Sequence, residues 1–285
     1  MTSKKLTEVG TKNVLMPRLL KLKELDKQVE QKRKTWGWVW GLSLFIAFIS
    51  IFLIAPFPPM AILTVLAGIT FVIGLIIYIA EVKKDMDNRK LDLAINLVQV
   101  VQEDIPPDTN ISLFIDFGAY NKNGKLLSKE GGLMSSIKTL NYEHPWFKCA
   151  GVLYDGNKFE LDITQYVDRR EKSKRKYTKV KEKIVEKATL NLKLNPRVYP
   201  SPETVAEQVF TGQLPHGISV SRCLGKNRVL KIAAVTPPAV LVHARSGPAG
   251  SEENLFNGDK LLGLFIDAYS GLQKARPAAG AAQQA

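Results

Sequence analysis

The chain has 285 residues, 40 lysines and arginines against 27 aspartates and glutamates, a formal charge of +13 and two cysteines. Two cysteines exclude a disulfide-built secreted domain, and 45% hydrophobic residues exclude a disordered chain. The basic balance points to acidic partners: an anionic membrane surface, an acidic protein face or nucleic acid.

In chain order, residues 1–13 read as a disordered N-terminus. Residues 14–35 follow as an amphipathic helix, with Leu15, Leu19, Leu22 and Val29 in heptad spacing and Asp26 on the seam where an apolar residue would be expected. Between Trp36 and Ala80 lie 45 residues without one charged side chain, interrupted by Pro56-Phe57-Pro58-Pro59. About 20 apolar residues cross a bilayer core as a helix. Two such spans fit, 36–55 and 60–80, and the prolines between them turn the chain back. The stretch starts too late and runs too long for a signal peptide. The expected element is a transmembrane helical hairpin, and the protein reads as integral to a membrane.

Basic residues flank the hairpin on both sides, ten within the first 35 residues and Lys83, Lys84, Arg89 and Lys90 after the second span, while the turn has none. That bias places both termini and the soluble domain in the cytoplasm. Trp36, Trp38, Trp40 and Tyr78 fall at the same boundary and are the candidate membrane-interface residues. The spans hold no Asp, Glu, Lys, Arg or His, which argues against a pump, transporter or voltage sensor. Residues 81–105 read as a second amphipathic helix, with Leu91, Ile95, Val98 and Ile105 on one side and Pro106-Pro107 at its end. The two amphipathic arms suit either a two-helix stalk, or helices lying on the membrane or covering the sheet downstream.

Residues 106–275 form the expected cytoplasmic domain. Ile111, Leu113, Ile115 and Phe117 alternate with polar partners, and Asp155-Gly156 is a hairpin signal between strands at 146–154 and 158–167. In 178–194 the even positions Val180, Ile184, Ala188, Leu190, Leu192 and Leu194 face in, and Lys179, Lys181, Lys183 and Lys187 face out. A hairpin at 218–235 and a strand at 240–244 follow. Ser201-Pro202-Glu203 starts a helix to about Phe210, and Asp259–Lys274 is a helix with Leu261, Leu264, Phe265, Ala268 and Leu272 on one stripe. Residues 276–285 read as a disordered tail. The fold class is membrane-anchored α+β: a helical hairpin with flanking amphipathic helices, then a mainly antiparallel β domain with two short helices, as a β-sandwich or a partly open barrel.

Charge is concentrated. Residues 168–187 hold Arg169, Arg170, Lys172, Lys174, Arg175, Lys176, Lys179, Lys181, Lys183 and Lys187 against four acids, and together with the first 35 residues they carry twelve of the thirteen net charges. This basic patch is the candidate lipid- or partner-binding surface; the competing reading is a solvated face that protects an edge strand. Nucleic acid is disfavoured, because only Tyr177 interleaves with the basic run. No phosphate loop, dinucleotide fingerprint, nucleophile elbow or metal-ligand spacing is present, so no catalytic, cofactor or metal residue is assigned. His144 and His216 adjoin prolines and read as loop residues; Asp116 and Asp155 read as solvent-face or turn residues. The expectation is a non-catalytic membrane-anchored scaffold that binds a protein partner, a second copy or anionic headgroups. A membrane-associated enzyme without a visible motif, and a membrane-shaping hairpin, are the alternatives.

Overall fold

A computed structural model of the chain describes residues 4–84, 86–131, 136–199, 218–244, 247–249 and 252–274. It divides into two compact units, Arg18–Asp87, and Met1–Pro17 joined with Asn88–Ala285.

The first unit is helical. Helix α1 (Lys12–Leu53) enters it unbroken, so the expected arm and first span are one element, and α2 (Met60–Lys84) follows the proline turn. The two helices touch at Ser50 and Thr64, where Thr64 Oγ1 donates to Ser50 Oγ at 2.7 Å, and at Trp40, whose ring lies 6.0 Å from those of both Phe71 and Tyr78. Gly37 faces Tyr78 and Gly74 lies under Trp40. As one residue number climbs the other descends, so the helices run antiparallel. Asp26 now has its reason: buried at 3% exposure, its Oδ1 accepts the Met86 backbone N–H at 3.0 Å, which anchors the end of α2 on the α1 seam. Both helices are long and apolar enough to cross a membrane, and only 11% of the most apolar window of each is buried. Phe45, Phe48, Phe52, Ile62, Leu66, Ile69 and Ile76 stand exposed around them.

The chain does not stay helical to residue 105. It breaks after Lys84 and resumes as α3 (Asn88–Val101), followed by a 3-10 turn (Gln102–Asp104). Asp87 and Asn88 sit at the break, where short polar side chains compete with the helical backbone.

The second unit is one antiparallel sheet. Its strands are β1 (Lys5–Gly10), β2 (Ile111–Asp116), β3 (Lys125–Glu130), β4 (Ile137–Val152), β5 (Lys158–Lys174), β6 (Tyr177–Lys193), β7 (Ser219–Lys226), β8 (Val229–Val235), β9 (Ala239–Ala244) and β10 (Gly247–Ala249). The order is β1-β2-β4-β5-β6-β8-β7, with β3 added on β4 and β9, itself paired with β10, added on β6. Among the described residues all ten strands connect in one antiparallel sheet, with helices over one face. One expectation is corrected here. Residues 5–10 are not disordered: they form β1, from Lys5 opposite Asp116 to Gly10 opposite Ile111.

Cross-strand partners share a face, so the register lists the core. Leu113, Cys149, Leu161, Leu190, Ile232 and Cys223 stand in one row across six strands, and Ile115, Phe147, Ile163, Ala188 and Ala234 form the next. All but Cys223 are buried. Cys149 and Cys223 are four strand spacings apart, about 19 Å, and both are free thiols. Over this face lies α3, with Leu91, Leu93, Ile95, Leu97 and Val98 buried; this part of the second arm therefore covers the sheet. Helix α5 (Gly258–Lys274) buries Leu261, Leu264, Phe265, Ala268 and Leu272, the stripe read from sequence.

The turns follow local chemistry. Gly156 has φ +79°, the left-handed region that glycine enters without cost, and Asp155 Oδ1 accepts the Asn157 N–H at 2.9 Å. Residues 120–123 close as a one-turn helix, α4 (Tyr120–Asn123). The β7–β8 loop is Asn227-Arg228, both at positive φ, as a two-residue hairpin of this hand requires. The helix expected at 201–210 and the tail at 276–285 lie outside the described residues.

Leu161 is fully buried in the central row, beside Cys149. Leu161→Ala should destabilise the sheet by about 2–5 kcal/mol. In a Cys223→Ser background, maleimide labelling of Cys149, whose thiol burial pushes up to about 12, should then quicken by at least tenfold.

Candidate functional site

The basic run of 168–187 is the distal half of a ribbon made by β5 and β6, which pair without a break from Lys158 opposite Lys193 to Lys174 opposite Tyr177, with Arg175-Lys176 at the tip. Alternation sorts its charges onto two faces. On the outer face Asp168 opposes Lys183, Arg170 opposes Lys181 and Lys172 opposes Lys179. Lys174 Nζ lies 5.3 Å from the centre of the Tyr177 ring. Lys187 faces the same way, farther from the tip, opposite Thr164. Arg170, Lys172, Lys174, Arg175, Lys176, Lys179, Lys181, Lys183 and Lys187 are all exposed. Three of the four acids go the other way: Glu171, Glu182 and Glu186 are on the core side.

Arg169 goes with the acids and leaves the basic face. Its Nε donates to Glu171 Oε1 at 2.8 Å and its Nη1 to Glu182 Oε1 at 3.2 Å. Tyr120 from α4 also donates its hydroxyl to Glu182, and burial, with that bond, raises the phenol's pKa. The cluster closes the end of a small core of Val167, Ile184, Ala239 and Leu255.

Two like-charge pairs directly opposite each other cost stability in a sheet. Edge protection does not explain the Arg170–Lys181 pair: β5 is flanked by β4 as far as Ile137 opposite Lys172, and β6 by β9 from Val180 to Ile184, which leaves Lys179 just beyond the flank.

The interface aromatics fall together. Trp36, Trp38 and Trp40 on α1 lie level with Tyr78 on α2; Trp38 is 79% exposed, whereas Trp40 is turned into the helix contact. Arg89 and Lys90, expected as membrane-flanking charges, point into the domain instead. Arg89 grips Glu186 with two bonds, Nη1 to Oε2 at 3.0 Å and Nη2 to Oε1 at 2.8 Å, and donates to the Phe256 carbonyl at 3.2 Å. Lys90, 3% exposed, donates to the Asp116 and Gly118 carbonyls at 3.0 and 3.3 Å. Both cations also lie over the Trp146 ring.

Asp116 and His144 are corrected as well. Asp116 is buried, and its Oδ1 accepts the Gly118 N–H at 2.8 Å and Asn123 Nδ2 at 2.7 Å, which hold its carboxyl below the ordinary range against the cost of burial. His144 is in β4 and not in a loop, opposite Gln165; the strand absorbs Pro145 through a register shift between Pro145 and Phe147. At 1% exposure neither of its ring nitrogens makes a well-formed hydrogen bond, and Nε2 lies 3.4 Å from Asp116 Oδ2. The sequence did carry a signal for this buried chemistry: Glu182 and Glu186 occupy the inward parity of β6. His216 lies outside the described residues, and His243 is in β9, 3.8 Å from Glu182 Oε2. Among the described residues no group of three or more histidines, cysteines or carboxylates could hold a metal ion.

Set against known proteins, the chain matches no family model, no curated protein and no solved structure.

Burial, then the Lys90 charge, lower the His144 pKa from 6.5, with Asp116 opposing and Lys5 adding to the fall. The unfolded chain therefore takes up the proton first as pH drops. Stability present above pH 6.5 should decline below it, by at most about 1.4 kcal/mol per pH unit. His144→Gln should flatten that decline between pH 6.5 and 5 in thermal unfolding.

Proposed function

We propose that the protein is a membrane-anchored, non-catalytic scaffold: α1 and α2 cross a membrane as a hairpin, and the ribbon docks the cytoplasmic domain on an anionic surface. The observation that carries the docking is the sorting of charge. Arg170, Lys172, Lys179, Lys181 and Lys183 form one exposed face, three of the run's four acids (Glu171, Glu182 and Glu186) are turned to the core side with only Asp168 left among the cations, and the interior Arg170–Lys181 pair lowers stability without protecting an edge. A cost kept in an interior ribbon is recovered when an anionic partner neutralises it. Cytoplasmic leaflets supply such a surface, at about 1 kcal/mol per basic residue within a Debye length. Because spans and ribbon share one chain, lipid reaches the ribbon at a high effective concentration.

Connectivity supports the hairpin. Strand β1 precedes α1, α3 follows α2, and both belong to the same sheet unit. The two ends of the apolar unit therefore need the same side of the membrane, which two crossings provide and one does not. The basic flanks favour the cytoplasmic side. The scaffold reading is preferred to the enzymatic one because the buried titratable groups Lys90, Asp116, His144 and Glu186 are engaged with one another's elements and sealed from solvent.

The topology is checked by labelling Phe57→Cys and Ser3→Cys in sealed cells, with Cys223 changed to serine. Phe57→Cys should react with an impermeant maleimide from outside and Ser3→Cys only after permeabilisation; equal reaction of both from one side overturns the hairpin.

The docking is checked on the full chain in nanodiscs, with an environment-sensitive fluorophore on Ser173→Cys near the ribbon tip. Emission should shift to the blue in discs containing phosphatidylserine and not in neutral discs. About 0.5 M salt should reverse the shift, since the Debye length is then only a few ångströms. Replacing Arg170, Lys172, Lys179 and Lys181 by glutamine should abolish it at little cost in stability. Identical emission in both discs would sink the lipid reading.

A further inference from the structure

Where α3 and α5 pass each other the second unit holds a cavity of about 160 Å3. Its origin is a close approach at one end. A Cβ on Gly258 would lie 2.7 Å from the Asn96 Cβ, so only glycine lets the helices meet there. Beyond that point the gap is lined by Leu97, Val101, Leu153, Leu262 and Phe265. An apolar cavity of about 150 Å3 holds a benzene ring.

A second cavity of about 220 Å3 adjoins it, sharing Asp104, Leu153 and Tyr269, and is completed by Tyr154, Asp155 and Tyr199. Three tyrosines and two aspartates thus line a space that opens onto an apolar one, and among the described residues neither lining includes a basic residue. Asp155 is held in place by neutral donors only, the Asn157 N–H and Nδ2 at 2.9 and 2.7 Å and the Tyr199 hydroxyl at 2.9 Å, so its charge is not cancelled by them. Burial raises the Tyr269 hydroxyl's pKa and keeps it a phenol, which accepts from Asn157 Nδ2 at 3.3 Å. In a chain of +13 this is a local acidic, aromatic enclosure.

We infer that these adjoining cavities bind a small organic ammonium ion with an aromatic or compact aliphatic body, the ammonium among Tyr154, Tyr199 and Tyr269 and the body between α3 and α5. Aromatic enclosures attract cations through the ring quadrupole, more strongly when desolvated. Carboxylates add a charge that a neutral or anionic ligand does not use. The inner cavity is too small for an acyl chain, and a lipid phosphate beside the ammonium would meet Asp104 and Asp155. The ligand is therefore a free organic ammonium ion and not a choline headgroup.

Benzyltrimethylammonium is titrated calorimetrically into the full chain in a maltoside detergent, which carries no charge and no ammonium. Saturable binding with a dissociation constant at or below about 1 mM is expected. Asp104→Asn and Tyr269→Leu should each weaken it about tenfold. Asp104 is exposed, so its variant leaves the fold intact, and unchanged labelling of Cys149 verifies this for both. Benzyl alcohol, which lacks the charge, and phosphocholine, which adds a phosphate, should each bind at least tenfold more weakly. The inference is overturned by the absence of saturation at about 10 mM, by benzyl alcohol binding equally well, or by full affinity in Asp104→Asn. Phosphocholine binding as tightly as the probe would overturn the free-cation assignment in favour of a headgroup.

Discussion

A carboxylate with no exposure has to be neutralised where it stands, and in this domain that carboxylate is Glu186. Arg89 answers it through a two-bond fork, and the Phe256 N–H adds a third bond at 2.9 Å. The Glu186 N–H donates in turn to Thr236 Oγ1 at 3.0 Å. One residue of β6 thereby fixes the first turn of α3, the segment that leads into α5, and the end of β8. Breaking such a pair from one side leaves a buried charge and costs about 3–5 kcal/mol. The layer of helices over the sheet is therefore held in register by a polar clip, and the apolar stripes of α3 and α5 supply area around it without themselves choosing the position.

The period of two along a strand does two separate jobs on β5 and β6. Near the β4–β5 turn it places Phe159, Leu161 and Ile163 under the helices, opposite Leu192, Leu190 and Ala188. Past Val167 and Ile184 the core runs out, and the same alternation sorts charge, with Arg169, Glu171 and Glu182 on one side and Arg170, Lys172, Lys179 and Lys181 on the other. No change of backbone marks the transition, and both strands continue for several residues beyond it. A long ribbon is thus half core and half charged surface, and its mechanical support comes from rows that are already buried.

What could be read in the chain beforehand followed from periodicity within one element. The α5 stripe, the inward side of β6, the Asp155-Gly156 turn and the two apolar helices depend on neighbours no more than a few residues apart. Interactions that needed a distant partner were missed. Lys5–Gly10 is short and half polar, and it becomes a strand only because Ile111–Asp116 offers an edge over a hundred residues later. Arg89 and Lys90 resemble membrane-flanking charges until Glu186 and the carbonyls of Asp116 and Gly118 are seen to be their acceptors. His144 beside a proline looks like a loop residue, and only a shift of register in β4 keeps it in the sheet. The basic face was legible as a segment, but one of its members, Arg169, was not separable from Arg170 without the partner register that sends them to opposite faces.

The late pairing of β1 gives the chain its organisation. The apolar helices are an insertion between the first strand of the sheet and the helix that covers it, so the second unit cannot complete its edge until residues on both sides of the insertion are brought together. Closing a loop of this length costs only logarithmically more than closing a short one, and the antiparallel contact of α1 with α2 shortens the effective loop further. The edge strand also ties the start of α1 to its own unit, where Lys12 Nζ donates to the Gln102 carbonyl of the 3-10 turn at 3.2 Å. The two units are consequently not separable by a single cut at the end of α2. A fragment that begins after residue 105 lacks β1, α3 and Arg89, and it leaves Glu186 buried without its cation.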